Sequence, residues 1–200
     1  MATSGANSHS LNCFTCQNRD RTEWCVLSDK ELELLERGRV TREYTPGDVI
    51  FHEGDSCNGV YCLEAGLVGV RKTNADGNSI LLHLNNPGDT MGYRAFLAGE
   101  DYHASAEALE PSKVCLIDVA TVRTLLAQNP ALGLRYLKRV SRNLGSAEEK
   151  ILHNATLSVR ARFAHLLTVL VDRYATGKEQ RPIEFELPLS RHDLARSEER

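Results

Sequence analysis

Short β-rich runs separated by glycine turns dominate the middle of the chain, over residues 40–118. The runs read TPGDVIFHEGD, GVYCLEAGLVGVRKT and NADGNSILLHL, and glycines recur at positions 47, 54, 66, 77 and 88. Asp76-Gly77 lies between two runs and is a hairpin signal, because glycine accepts the positive φ that tight turns need. This spacing is typical of an antiparallel roll or barrel.

Helical periodicity flanks the β-rich region. Ser28 and Glu31 have capping-box spacing and predict a short helix before it. From Val119 the period becomes helical, and a long helix is predicted over residues 131–153, with a third over Val159–Tyr174. The apolar positions of the long helix recur at heptad spacing, which indicates a seam either with a second copy of the chain or with the chain's own roll. Basic residues on the other faces favour the two-fold dimer. The predicted seam consists of Leu134, Leu137, Val140, Leu144, Ala147 and Ile151.

Four cysteines are candidates for one metal or iron–sulfur site: Cys13, Cys16, Cys25 and the distant Cys115. The first three lie in a short polar lead-in, and a C-x-x-C spacing lets two thiolates share one site. Three alternatives stay open: Cys115 is an ordinary buried strand cysteine, the cluster binds zinc with a histidine such as His9 or His52, or the site holds no metal. The remaining two cysteines, at positions 57 and 62, are predicted to be structural.

Composition narrows the class of protein. Net charge is −3, yet residues 1–134 carry −7 and residues 135–200 carry +4, which suggests different partners for the two parts. No apolar window approaches the ~20 residues that a bilayer span requires, and the N-terminus lacks the features of a secretory signal. We therefore expect a cytoplasmic protein without membrane contact, in which clustered thiols stay reduced. The sequence contains no nucleophile–base pair, Walker loop or zinc-hydrolase spacing, so an enzyme is not expected.

The order of acidic roll, long helix and small basic helical domain resembles the CRP/FNR superfamily of bacterial transcription regulators. The segments that carry the resemblance are TPGDVIFHEGD, YCLEAGLVGV, PGDTMGY, ALEPSKVCLID and LPLSRHDLA. It implies an α+β fold: an antiparallel double-stranded β-roll like a cyclic-nucleotide-binding domain, a dimerisation helix and a winged helix-turn-helix. The expected boundaries are a cysteine segment at 1–27, the roll at 28–129, the dimer helix at 130–154 and a partial DNA-binding domain at 155–200.

Two branches of the superfamily differ in their input. The cyclic-nucleotide branch needs a Gly-Glu for the ribose and an Arg-Ser for the phosphate, and here Gly88-Asp89 and Tyr102-His103 stand in those places. Cyclic-nucleotide binding is therefore not expected. The iron–sulfur branch, resembling the oxygen-responsive FNR regulators, fits Cys13, Cys16 and Cys115. Cys25 departs in spacing, because eight residues separate it from Cys16. The resemblance implies an iron–sulfur cluster, of the 4Fe–4S type, on these four cysteines.

The resemblance also implies double-stranded operator DNA, a second copy of the chain and RNA polymerase as partners. The expected DNA-contacting residues near the end of the chain are Ser190, Arg191, Ser197, Glu199 and Arg200. The turn between the two helices of the motif is missing between Ala195 and Ser197, so we expect the native protein to have some 25–40 further residues, an order-of-magnitude figure from the family's domain plan.

These features together predict a dimeric transcription regulator that senses oxygen, nitric oxide or redox state through the cysteine site. The alternative is a regulator whose roll binds another small effector or haem, with structural or zinc-binding cysteines.

Overall fold

The computed structural model describes residues 12–174, which form two 3₁₀ turns, eight strands and five α-helices. The 3₁₀ turns are Arg19–Arg21 and Glu23–Val26. The strands are β1 (Arg39–Tyr44), β2 (Val49–Phe51), β3 (Gly59–Ala65), β4 (Val68–Thr73), β5 (Ser79–Asn85), β6 (Thr90–Met91), β7 (Ser105–Ala108) and β8 (Ser112–Asp118). The helices are α1 (Asp29–Arg37), α2 (Tyr93–Ala98), α3 (Val119–Gln128), α4 (Pro130–Thr156) and α5 (Val159–Tyr174).

The strands form two four-stranded antiparallel sheets, which confirms the predicted roll. One sheet has the order β1-β8-β3-β6 and the other β2-β7-β4-β5, so strands distant in sequence pair across the roll. The predicted hairpin joins β4 to β5, and Gly77 adopts φ of 80° in its turn. That positive φ is the conformation for which the glycine was expected.

Each face of the β1-β8-β3-β6 sheet borders a separate core, because successive side chains of a strand point in opposite directions. Tyr61 and Leu63 of β3 belong to the core inside the roll. Val60 and Cys62 of the same strand belong to a second core that lies under the N-terminal segment and α1, α3 and α4. The sheet is therefore buried on both sides.

Capping residues define where the helices begin. Ser28 and Glu31 form the predicted capping box of α1, and Asp118 accepts a hydrogen bond from the Thr121 backbone at the start of α3. Asn129 caps α4, whose 27 residues extend beyond both ends of the predicted range. No helix within residues 12–174 is long and apolar enough to cross a membrane. The predicted helix-turn-helix lies beyond position 174, outside the described residues.

Candidate functional site: a cysteine-lined cavity

Strand register brings two cysteines face to face on the outer side of the roll. Cys62 of β3 is the direct partner of Cys115 of β8 in the antiparallel ladder. Both are buried, at 9% and 8% exposure, and both belong to the core outside the roll. Opposite residues of an antiparallel pair project to the same side of the sheet, so the two thiols are neighbours.

The N-terminal segment covers this pair and adds two further thiols. Cys13 and Cys16 line a cavity of about 30 Å³ together with Cys62 and Cys115. Hydrogen bonds fix the segment to its neighbours: the Cys13 backbone N–H donates to Glu36 Oε2 of α1 (2.8 Å), and Asn18 Nδ2 donates to the carbonyl of Glu64 in β3 (2.8 Å). Four cysteines that are as much as 102 positions apart thus face one space.

Arg39 brings a positive charge to the cavity wall. Its Nη1 donates to Cys115 Sγ at 3.5 Å, and its Nη2 forms an ion pair with Glu36 Oε1 at 2.6 Å. The Thr41 hydroxyl lies 3.4 Å from the same sulfur atom. Opposite charges favour ionised forms, so this guanidinium would stabilise thiolates that form beside it.

Burial keeps three of the thiols protonated when no metal is bound. It raises the pKa of Cys13, of Cys62 and of Cys115 above the ordinary value for cysteine. At Cys13 the Glu36 carboxylate raises the pKa further, while at Cys115 hydrogen bonds from Thr41 and Arg39 lower it without cancelling the effect of burial. Metals bind thiolates, so a metal entering the cavity displaces protons from these side chains.

The structure brings together three of the four predicted ligands. Cys13, Cys16 and Cys115 line the cavity, whereas Cys25, in the Glu23–Val26 turn, is not among the lining residues. Cys62, which the sequence analysis treated as structural, is in the cavity wall. Within residues 12–174, no three or more His, Cys, Asp or Glu side chains are already arranged to hold a metal ion.

The zinc alternative receives no histidine from the described residues of this wall. His52 is exposed and is not among the lining residues, and His9 lies outside the described range.

The sequence contained a signal for the position of Cys62. In GVYCLEA and SKVCLID, side chains alternate between the two faces of a strand, which places each cysteine on one face. What the sequence lacked was the register that pairs the two segments.

The covering segment also contacts the long helix directly. The rings of Trp24 and Tyr136 meet edge to face with centroids 5.9 Å apart. Arg139 of α4 forms ion pairs with Glu23 at 2.5 Å and with Asp89 at 3.2 Å. Glu23 is buried and also accepts a hydrogen bond from Thr90. A shift of the segment would therefore act on α4 through both apolar and charged contacts.

The opposite face of α4 exposes the predicted seam. Leu134, Leu137, Leu144 and Ile151 are between 59% and 68% exposed, and Val140 and Ala147 are exposed beside them. The inward face, by contrast, buries Leu132 and Tyr136. Exposed apolar residues at heptad spacing along one helix are typical of a surface that packs on a second helix, so the seam stays a prediction.

Aromatic rings fill the interior of the roll. Phe51 stacks on Tyr61, with centroids 5.0 Å apart, and on Tyr102 at 4.3 Å. Tyr102, which stands in the place of the phosphate-binding Arg-Ser, is 2% exposed, and its hydroxyl donates to Asn58 Oδ1 at 2.7 Å. Asp89, in the place of the ribose-binding Glu, binds Arg139 instead. Both positions are thus engaged in contacts within the protein.

The predicted DNA-contacting residues fall outside the described part of the chain. They are Ser190, Arg191, Ser197, Glu199 and Arg200. Their assignment stays a prediction.

Comparison with known proteins agrees with this architecture. The family profile of the cyclic nucleotide-binding domain matches residues 41–129. The chain is 28% identical to an anaerobic regulatory protein of Haemophilus influenzae, over 96% of this chain and 76% of that protein. It is 27% identical to the transcriptional activator protein FnrL of Cereibacter sphaeroides, over 92% and 74% of the two chains. The structure of FixK2 from Bradyrhizobium japonicum superposes with a TM-score of 0.70 at 21% identity, covering 80% of this chain and 77% of that one. The last match supports the fold, and the first three confirm the resemblance drawn from the sequence.

Proposed function

We propose that the chain is a DNA-binding transcription regulator of the CRP/FNR superfamily that senses oxygen, nitric oxide or redox state through a cysteine-ligated iron–sulfur cluster. Relatives that the chain matches over 76% and 74% of their length are named as an anaerobic regulatory protein and as a transcriptional activator protein. The observation that carries the proposal is that Cys13, Cys16 and Cys115, far apart in sequence, line one cavity.

The chemistry of the cavity suits such a centre. Thiolates are the ligands of iron–sulfur clusters, and four complete the common coordination. A thiolate-bound cluster is anionic, and Arg39 supplies a cation beside Cys115. When bound, the cluster supplies a reactive iron–sulfur surface for oxygen or nitric oxide; the protein's part is to hold it and to transmit its presence.

The segment that carries Cys13 and Cys16 connects the cavity to α4. A ligand held by these two thiols on one side and by Cys115 on the other would affect the position of the segment. Because Glu23 and Trp24 of that segment contact α4, its movement acts on the helix that carries the apolar seam.

The apolar seam of α4 is the proposed dimer interface. The side chains of the seam are exposed and point away from the roll core, so their substitution should leave that core intact. Leu144→Glu should therefore convert a dimer into a folded monomer in analytical ultracentrifugation. The matched change Lys138→Glu, on an exposed polar position of the same helix, should leave the dimer in place. Dimers of the Leu144 variant would show that the seam lies elsewhere.

The proposed output is binding to operator DNA, with RNA polymerase as the further partner. The positive charge of residues 135–200, +4 against −7 for the remainder, supports an interaction with phosphates in that part of the chain. A labelled promoter fragment should be retained by the native dimer with an affinity that falls as salt concentration rises. Affinity that does not change with salt would contradict this assignment.

One measurement on the wild-type chain tests the sensor. Protein purified without oxygen should show broad absorption near ~400 nm that bleaches in air, with iron and sulfide in equal amounts. Stoichiometric zinc, or a protein that stays colourless after iron and sulfide are supplied, would defeat the iron–sulfur proposal.

A further inference from the structure

Two buried thiols on the outer face of the sheet have the relative position that a disulfide bond requires. Cys62 of β3 and Cys115 of β8 are direct partners in the antiparallel ladder. The Cα atoms of such partners lie about 4.5–5.5 Å apart, within the range of about 4.4–6.8 Å that a disulfide spans. Their Cβ atoms lie about 4.5–5.5 Å apart, so a small approach brings them to the spacing of a bridged pair.

The surroundings of Cys115 favour a reaction at its sulfur atom. Arg39 Nη1 donates to Cys115 Sγ at 3.5 Å. A guanidinium beside a thiol stabilises the negative charge that develops as the S–H bond breaks. Burial of both thiols opposes that charge, so we expect a slower reaction than at an exposed thiol. Cys62 and Cys115 line the same cavity, and a small oxidant that enters it meets both.

We propose that Cys62 and Cys115 form a reversible disulfide when the metal-free chain meets a peroxide. In the first step, the Cys115 sulfur attacks one oxygen of hydrogen peroxide, the O–O bond breaks, and a sulfenic acid and one water molecule form. In the second step, the Cys62 sulfur attacks the sulfenic sulfur, the S–S bond forms, and the hydroxyl leaves as a second water. The two thiol protons end in the two waters, two electrons pass from sulfur to peroxide, and a dithiol reductant restores both thiols.

The disulfide itself requires no metal. Its consequence for the regulator rests on the proposed function, because Cys115 is one of the proposed ligands and its sulfur is unavailable to iron while the bond lasts. The metal-free chain then has two forms: a reduced form that can be loaded again, and an oxidised form that must first be reduced.

Peptide mapping of the full wild-type chain tests the pairing without a substitution in the core. The reduced, metal-free chain is treated with hydrogen peroxide, remaining thiols are blocked with iodoacetamide after unfolding, and linked peptides are identified by mass spectrometry. Peptides that contain Cys62 and Cys115 should be linked to each other and should separate on reduction. Linkage of Cys115 to Cys13 or Cys16 instead, or the absence of any linkage at Cys62, overturns the proposal.

The same treatment in urea is the control for the role of the fold. The unfolded chain should distribute its linkages among its six cysteines, because no ladder selects a pair. An equal preference for the Cys62–Cys115 link in urea overturns the argument from register.

Two variants test the order of the steps. Cys62→Ser lacks the second thiol and should accumulate a sulfenic acid at Cys115, which dimedone labels. Cys57→Ser, which removes a partly exposed thiol outside the cavity wall, is the matched control and should form the disulfide as the wild type does. Dimedone on another cysteine of Cys62→Ser, and not on Cys115, overturns the assigned order. The map of the wild type decides the pairing even if Cys62→Ser fails to fold.

Iron loading separates this proposal from the proposed function. The oxidised chain should take up less iron than the reduced chain, and a dithiol reductant should restore the uptake. A reduced chain that takes up no iron defeats the proposed function, while the mapped disulfide stands. An oxidised chain that carries the mapped bond and still loads as much iron as the reduced chain overturns the proposed consequence for the regulator.

Discussion

The two faces of the β1-β8-β3-β6 sheet are built by the same strands but differ in chemistry. Inside the roll, Tyr61 joins an aromatic stack with Phe51 and Tyr102. Outside, one position along the same strand, Cys62 meets Cys115 and a cavity lined with thiols. The interior of the roll is thus a packed aromatic core, whereas its outer face carries the candidate metal site. The interior corresponds to the place where cyclic-nucleotide relatives are expected to bind their ligand.

The largest expected effect is loss of the metal centre when a thiol of the outer face is removed. Cys16→Ser and Cys115→Ser should each abolish iron uptake, because a hydroxyl is a poor substitute for a thiolate ligand of iron. Iron and sulfide analysis after anaerobic loading measures the effect. If the Cys115→Ser variant holds iron at wild-type levels, Cys115 is only a core residue and the two faces do not differ in metal binding.

The inner face should respond in the opposite way. Phe51→Ala removes a buried ring from the stack and should lower the free energy of unfolding by about 3–5 kcal/mol, while iron per folded chain stays unchanged. Urea denaturation followed by circular dichroism gives the first quantity. Val49→Ala, on an exposed position of the same strand, is the control and should change stability by less than about 0.5 kcal/mol. A Phe51 variant that folds but loses iron would show that the faces are not independent.

A smaller effect is expected where the outer face meets α4. Glu23→Gln keeps the shape of the side chain but removes the charge that pairs with Arg139, and should cost about 1–3 kcal/mol of stability. It should also weaken the coupling between metal loading and dimer affinity, which in two-site systems is typically about 5–150-fold. Sedimentation of loaded and metal-free protein measures that factor.

Glu148→Gln is the matched control for this coupling, because Glu148 is an exposed carboxylate of α4. It should leave both stability and coupling unchanged. A Glu23 variant with undiminished coupling would mean that the signal reaches α4 by another route, such as the Trp24–Tyr136 contact.

Local features of the fold could be predicted from the sequence, and long-range ones could not. The capping box at Ser28, the hairpin at Gly77 and the stripe from Leu134 to Ile151 depend on residues close in sequence. The Cys62–Cys115 pairing depends on strands that are 53 positions apart and on a register that no local signal sets. A shift of one residue would have sent the cysteine into the aromatic core.

The placement of Cys25 was hidden for a related reason. Its spacing from Cys16 allowed it to close on a shared site, and chain entropy alone gives no objection. Its neighbours Glu23 and Trp24 are buried against β6 and α4, and Cys25 is not among the residues that line the cavity. A sequence shows such tertiary contacts only as an unremarkable Glu-Trp pair, so the assignment of Cys25 as a ligand stays a prediction.

The last expected effect is a loss of stability of the metal-free protein at alkaline pH. Burial raises the pKa of Cys13, Cys62 and Cys115, with Glu36 and Glu64 adding to the effect and Arg39 opposing it. Below about pH 8.5 these thiols are protonated in both states, and their contribution to stability is complete. As pH rises further, the unfolded chain loses these protons first, so stability falls by at most about 1.4 kcal/mol per pH unit for each thiol.

The tyrosines of the inner face titrate at higher pH than the cysteines, so the two faces can be distinguished by pH. Burial also raises the pKa of Tyr61 and of Tyr102, but from an ordinary value near 10, so their contribution is lost only at higher pH. Urea midpoints of metal-free protein between about pH 8 and 10 therefore report mainly on the cysteine face. Cys115→Val should flatten the fall in that window, while Tyr61→Phe should leave it unchanged. An equal slope in the wild type and in Cys115→Val would show that the thiol of Cys115 ionises as readily in the folded protein as in the unfolded chain.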